Sequence, residues 1–297
     1  MLRLAAHEPA AAELLDAARS VCSASLINGL VTGTPADADY FSNAVAQPLI
    51  CAATVATWNA LRAHGLPEPV AVAGYSVGEL SAHAIAGTLA KQADVIPLAK
   101  TRAEAMDAAT AREGPSGLIA VRGWNAAEIE DTIRATGLEI AIVNGVEHFV
   151  LGGSEQMLSE GERRLAGSST VRRLDVGVAS HTSRLASARE AFHQALLAAG
   201  LRDPRRPVLA GIDGGVVRTA TAAIDTLTAQ ISRTIRWDLC LRAAWELGAR
   251  VFLTLGPGCG FARIALEALP AGCEARAADE FRSLAGVVAW VRGRLQV

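Results

Sequence analysis

Apolar residues recur along this chain in two rhythms. Across residues 42–64 they fall at helical spacing and stop before Gly65, with Pro67 and Pro69 beyond, which predicts one long helix. Val70-Ala71-Val72-Ala73 follows as an unbroken run of small and β-branched residues, the pattern of a buried parallel strand. From Val77 onward, Glu79-Leu80-Ser81-Ala82-His83-Ala84-Ile85-Ala86 returns to the helical pattern. Earlier, an amphipathic helix is predicted directly after Pro9, over residues 11–18, and a Gly/Thr/Pro-rich loop around residues 28–40. Another helix is predicted from about residue 93 to 109.

Residues 112–180 change character. Gly117-Leu118-Ile119-Ala120-Val121-Arg122 reads as a strand, and Asn125 caps a helix running through Arg134. Ile140-Ala141-Ile142-Val143 and His148-Phe149-Val150-Leu151 read as two strands joined at Asn144-Gly145, a hairpin-type pair. Ser154 opens a further helix to about Leu165, and residues 170–176 close with a strand. The order β-α-β-β-α-β is the split ferredoxin-like unit. Beyond it, helices are predicted at about 182–200, 221–233, 238–248, 260–268 and 281–294, with strands at 207–212 and 251–255. The expectation is therefore an α/β catalytic domain built from residues 1–111 and 181–297, with a ferredoxin-like subdomain inserted at 112–180.

Composition narrows the options. Of 297 residues, 51% are apolar and 20% charged, ample for a sizeable core. A net charge of −2 gives no electrostatic case for nucleic acid or an anionic membrane. No apolar run approaches the roughly 20 residues of a membrane span, and no leader with a cleavage site opens the chain. The five cysteines are odd in number and lack C-x-x-C spacing, which suits a reducing cytoplasm and mostly buried thiols. Cys259, in Gly256-Pro257-Gly258-Cys259-Gly260, is expected to be packed at a helix start. That turn lacks the Lys-Ser/Thr of a phosphate-binding loop. No His/Cys/Asp/Glu cluster has ligand spacing, so no metal or other bound cofactor is expected.

The chemistry centres on Gly74-Tyr75-Ser76-Val77-Gly78, a match to G-x-S-x-G between the predicted strand and helix. That context forms a nucleophile elbow, which exposes a serine hydroxyl above the sheet at a helix N-terminus. A serine needs a base near it in space. Of six histidines, His181 stands at a strand-to-helix junction, Val178-Ala179-Ser180-His181-Thr182, where a side chain can enter a cleft. His7 and His64 read as surface residues, His83 and His193 as helical and His148 as part of the hairpin; spacing alone does not choose among the six.

The chain resembles the malonyl-CoA:acyl-carrier-protein transacylase family from about residue 9 to 295. Gly74-Tyr75-Ser76-Val77-Gly78-Glu79 is similar to that family's G-H-S-[LV]-G-E elbow, Arg102 and Met106 to its R-x-x-x-M helix, and Ser180-His181 to its S-H. Gln230 with Trp237 resembles its Q-x6-W segment, and Leu255-Gly256-Pro257-Gly258 its late G-P-G turn. Tyr75, with Ala141-Ile142-Val143-Asn144-Gly145 and Phe149-Val150-Leu151-Gly152-Gly153, is most similar to the epsilon subunit of malonate decarboxylase. The resemblance implies the acyltransferase fold, a large domain with a parallel sheet and an inserted ferredoxin-like subdomain. It implies malonyl-CoA as substrate and an acyl carrier protein as partner, with the carrier of malonate decarboxylase the particular one. Ser76 would be the nucleophile and His181 the base. The Gln230 carbonyl would orient the imidazole, the Val77 N–H would donate to the oxyanion, and Arg102 would pair with the malonyl carboxylate. Gln47 and Asn144 would line the pocket. Without the resemblance, Arg102 reads as a helix arginine in a surface ion pair, Gln47 and Asn144 as packing or turn residues, and Glu79 as a carboxylate at a helix start.

One departure stands out. The family opens with a strand and a G-Q-G-x-Q loop that supplies half of the oxyanion hole, whereas Met1-Leu2-Arg3-Leu4 resembles the stretch after it. The expectation is that the native product starts upstream; a shortened, poorly active protein is the other account. Three rival functions remain on the sequence: a malonyl transacylase of fatty-acid synthesis, a serine thioesterase or esterase, and a non-catalytic subunit that binds a carrier. An α/β-hydrolase wants an acid and a late histidine, neither of which presents itself.

Overall fold

The computed structural model describes residues 2–33, 40–167 and 170–295. Its centre is the Asn43–Ala63 helix, which packs along the Val95–Glu113 helix. Cys51, Val55, Leu61, Ile96 and Met106 are sealed between these helices and their neighbours. Each fully buried Leu or Ile side chain in such a core contributes about 1.5–3 kcal/mol. The central helix has 21 residues and its most apolar 18-residue window has a mean hydropathy of 1.3, so it meets the length and composition of a membrane span, contrary to the expectation that no run would. Its place explains the composition, because 56% of its most apolar window is buried inside the fold. Pro48 lies within it, and the missing N–H releases the Ala44 carbonyl one turn back.

The N-terminal region is more helical than the sequence suggests. A short Leu2–Ala5 helix and a 3-10 turn at Pro9–Ala11 precede the Ala12–Cys22 helix. Ser23 breaks the chain at φ 105°, then caps a second helix, Ala24–Thr32, by accepting the Leu26 N–H at 3.4 Å. The expected loop thus begins after that helix, and residues 34–39 of it lie outside the described residues.

The parallel sheet appears as two short pieces. Val72–Ala73 pairs in parallel with Val208–Leu209, which turns through Gly214 into antiparallel Val216–Val217. Val251–Thr254 pairs in parallel with Glu274–Ala277, a strand that the hydrophobic pattern does not predict. Val70–Ala73 is not the buried strand expected. Val70 is 50% exposed and Ala73 is exposed, because Val72–Ala73 stands on a sheet edge with a partner on one side only.

The inserted sheet is antiparallel within itself. Ser116–Arg122, Glu139–Gly145, His148–Ser154 and Thr170–Arg173 are its strands, with helices Ala126–Thr136 and Glu155–Arg164 between them. Along the sheet Thr170–Arg173 comes first, then Ser116–Arg122, His148–Ser154 and Glu139–Gly145, which gives the ferredoxin-like order. Asn125 and Glu128 close a reciprocal capping box, 3.1 and 2.8 Å. The hairpin turn lies two residues later than expected, at Val146-Glu147, with Gly145 paired to His148. Asn144 stays in the strand, buried beside a register shift. Ile235–Arg236 joins the same sheet in parallel beside Ile142–Val143. Together with the Thr234 hydroxyl on the Ile140 carbonyl at 2.7 Å, this stitches the segment that follows Gln230 to the antiparallel strands.

Candidate active site

Gly74 makes the elbow possible by having no side chain. A Cβ there would lie 2.1 Å from the Glu79 nitrogen and from the Gly78 carbonyl, where no atom fits. The chain therefore reverses within four residues, and Ser76 takes φ 53°, in the left-handed region. His181 does the same at φ 64°. Only three non-glycine residues among those described have positive φ, and these are two of them. Such backbone costs about 1–2 kcal/mol at each position and persists only where its surroundings fix it. For His181 the fixing groups are visible: its N–H donates to the Ile231 carbonyl at 2.9 Å and its Nδ1–H to the Gln230 carbonyl at 2.5 Å.

That last bond sets the tautomer. A carbonyl only accepts, so the proton is on Nδ1 and Nε2 is left as an acceptor. Nε2 lies 2.7 Å from Ser76 Oγ, across 105 positions of sequence, in line to receive the hydroxyl proton. Burial, and then the Arg102 charge, push the imidazole down from its ordinary 6.5 to about 3, with the Gln230 carbonyl pulling the other way. The free site therefore holds a neutral imidazole at physiological pH.

Arg102 is 2% exposed, which overturns the surface ion-pair alternative. Its Nη1 donates to Gln47 Oε1 at 2.6 Å, and its Nη2 to Gln230 Oε1 at 3.3 Å and Ser76 Oγ at 3.4 Å. Burial brings it down to about 10, so it stays a cation. Five of the residues singled out from sequence thus form one hydrogen-bonded cluster: Ser76, His181, Arg102, Gln47 and Gln230. Val77 follows Ser76 as the N-cap residue of the next helix. At the start of the Gly78–Ala86 helix the N–H groups of Gly78, Glu79 and Leu80 are spent on Tyr75, Ser76 and Val77 carbonyls. Asn144 stands one step away, buried near the Tyr75 hydroxyl, with its Oδ1 lacking a hydrogen-bond partner. Tyr75 itself packs edge-on against Trp237, ring centroids 5.4 Å apart, and against Phe261 at 4.6 Å.

Two features escape sequence reasoning. Glu79 does not cap its own helix. It is fully buried and accepts the Gly211 N–H at 2.9 Å and the Gln230 Nε2–H at 2.8 Å, while burial pushes its carboxyl up to about 8. The Gln230 side chain, and not only its carbonyl, faces the site. Cys259 also departs from expectation, being exposed as the residue before the Gly260–Ala268 helix. Among the described residues no group of His, Cys, Asp and Glu could hold a metal ion. An open cleft of about 310 Å³ is lined by Phe41, Ser42, Asn43, Asp107, Gly177 and Val178.

The buried titratable groups set a pH optimum for stability. His83, lowered to about 4 by burial, and His181 take up protons on unfolding once pH falls below 6.5. Glu79 works in the opposite sense, since between its ordinary 4.5 and about 8 the folded state holds a proton that the unfolded state releases. From pH 8 to 6.5 stability should rise by about 1.4 kcal/mol per unit; below 6.5 the two histidines, with His148 shifted in the same direction, outweigh the one glutamate, and it should fall at least as steeply. Urea midpoints followed from pH 8.5 to 5 should peak near 6.5, and a monotonic curve would contradict a neutral His83 and His181 beside a protonated Glu79.

An elbow serine, a neutral imidazole and a buried guanidinium, joined by hydrogen bonds, form the kind of site at which a serine can be acylated. Residues 3–274 match the acyl transferase domain family, and the chain belongs to it. Its relatives include the malonyl CoA-acyl carrier protein transacylase of Mycolicibacterium smegmatis, 36% identical over 234 residues, which are 77% of this chain and 80% of that protein. The crystal structure of MCAT from Mycobacterium tuberculosis superposes with a TM-score of 0.86 at 32% identity, over 97% of this chain and 94% of that one. The malonyl CoA-acyl carrier protein transacylase from Coxiella burnetii has the same fold, with a TM-score of 0.88 at 24% identity, over 100% of this chain and 93% of that one.

Proposed function

We propose that this chain moves a malonyl group from malonyl-CoA to the thiol of an acyl carrier protein, by way of an ester on Ser76. The observation that carries the reading is a serine oxygen 2.7 Å from an accepting imidazole nitrogen and 3.4 Å from a buried guanidinium. Ser76 Oγ attacks the thioester carbonyl as its proton passes to His181 Nε2. The Val77 N–H faces the oxyanion that forms, and one such donor is worth roughly 10²–10³ in rate. Collapse breaks the C–S bond, and the CoA thiolate leaves with the proton from Nε2. The carrier thiol then gives its proton to Nε2 and attacks the ester, and Ser76 takes the proton back.

The Gln230 carbonyl does the work a carboxylate does in other serine enzymes. It holds Nδ1–H and stabilises the imidazolium by its dipole, without a full negative charge. Arg102 pairs with the free carboxylate of the malonyl group, for which a planar fork is the suited partner. That pairing also neutralises the charge that depresses His181, so bound substrate raises the basicity of its own catalyst.

For the carrier we infer that of malonate decarboxylase, with this chain as its epsilon subunit. Tyr75 in the elbow, seated between Asn144, Trp237 and Phe261, and the segments around Asn144 and Phe149 support this branch. Transfer from malonyl-CoA to the holo carrier of a malonate decarboxylase and to that of a fatty-acid synthase, assayed side by side, tests it. A higher kcat/KM for the first is expected, and equal or reversed values would return the chain to fatty-acid synthesis. CoA released rapidly with no acceptor, from simple thioesters too, would point to a thioesterase.

A further inference from the structure

Arg102 is held by two side-chain amides, and an amide is ambiguous. Either end can face a neighbour, oxygen accepting or NH2 donating. Turned with its NH2 toward the guanidinium, Gln47 or Gln230 would set donor against donor in a buried place, and the fork would have to move. What stands behind each amide removes the ambiguity. Behind Gln230, its Nε2 donates to Glu79 Oε2 at 2.8 Å, and the same oxygen accepts the Gly211 N–H at 2.9 Å. Behind Gln47, its Nε2 donates to Asn43 Oδ1. Asn43 is itself fixed, because its Nδ2 donates to Asp107 Oδ1 at 2.9 Å and to the Ala103 carbonyl at 3.1 Å. Each chain ends on a group that accepts there and does not donate, and each therefore forces an amide oxygen toward Arg102.

We propose that Glu79 and Asn43 are positioning residues that set the polarity of Gln230 and Gln47, and thereby aim Arg102 at the carboxylate of the acyl group. The inference rests on the malonyl reading and adds to it the groups that make the site selective for an acid. Glu79 acts through its geometry: Oε2 accepts both donors whether or not the carboxyl carries a proton. A glutamine at this position presents its own Oε1 to the same two donors and preserves the arrangement. Leucine, of similar bulk, does not. Gly211 reinforces the design, since a Cβ there would lie 2.6 Å from Glu79 Oε2.

The test uses the full chain carrying Glu79→Gln, Glu79→Leu or Asn43→Leu, with kcat/KM measured for malonyl-CoA and acetyl-CoA and a holo carrier as acceptor. A displacement of about 1 Å at an aligned group costs on the order of 10²-fold. Glu79→Leu and Asn43→Leu should therefore lower the malonyl-to-acetyl ratio by about 10- to 100-fold, while Glu79→Gln stays within about threefold of the parent. An unchanged ratio in folded Asn43→Leu, or a Glu79→Gln variant as unselective as Glu79→Leu, would overturn the proposal. Asn43 lies at the start of its helix, partly buried, so its variant carries the test if Glu79→Leu does not fold. Crystal structures of the variants read the guanidinium directly and do not depend on the substrate. A displaced Arg102 is expected in the leucine variants, and an unmoved one refutes the positioning role. If the parent itself does not favour malonyl over acetyl, the malonyl reading fails and the displacement alone decides the positioning role.

Discussion

Ser76→Ala leaves a folded protein that forms no acyl adduct. Intact mass after incubation with malonyl-CoA should show no malonyl increase, and transfer to the carrier should fall by about 10⁴-fold or more. The size of the effect follows from the geometry, because Ser76 Oγ is the oxygen 2.7 Å from the unprotonated nitrogen of a fixed imidazole. Its loss removes the covalent step while leaving the His181–Gln230 bond and the Arg102 cradle in place, so the thermal midpoint should stay close to that of the parent. Cys259 is the exposed thiol that could be acylated without catalysis. A malonyl increase of equal rate and extent in Ser76→Ala would mean that such a side reaction had been mistaken for the intermediate, and the ester mechanism would fall.

Arg102→Ala should divide two substrates that differ by one carboxylate. The malonyl carboxylate loses a charge-assisted fork and would be left buried among amides, a loss of about 3–4 kcal/mol, so its kcat/KM should drop about 10²–10³-fold. Acetyl transfer has no such partner to lose and should change by less than about tenfold. Equal losses for both substrates would argue for a structural role. A second readout is independent of that ratio. Burial and the Arg102 charge together hold His181 near 3, so the acid limb of kcat/KM in the parent should lie well below the ordinary imidazole range. Removing the charge should move that limb upward for both substrates; a limb that stays put would show that the guanidinium does not act on the base.

How much of this is legible in the chain depends on how local each feature is. The elbow is readable because glycine, serine and the helix start lie within six residues and steric necessity dictates their types. Strand lengths are not. Val70–Ala73 has the composition of a buried strand, yet edge position leaves Val70 and Ala73 in contact with solvent. Asn144 has turn chemistry, but strand pairing on either side of it, at Val143 and Gly145, keeps it in the sheet. Arg102 carries nothing in its own helix to mark it as buried. The amides that enclose it lie 55 and 128 positions away, and pairings at that range leave no local pattern. Glu79 could be suspected from its position three residues after the serine, although its partner is 151 positions distant. The choice of His181 among six histidines comes from resemblance, and its left-handed backbone is invisible in sequence.

That backbone has a further meaning. The chain is bent against its own preference at the two residues whose oxygen and nitrogen meet, so relaxing either bend would yield a tougher molecule in which the pair no longer faces each other. Sorting random variants by heat resistance alone should therefore discard turnover first, and the hardiest survivors should prove inert for a reason written at residues 76 and 181.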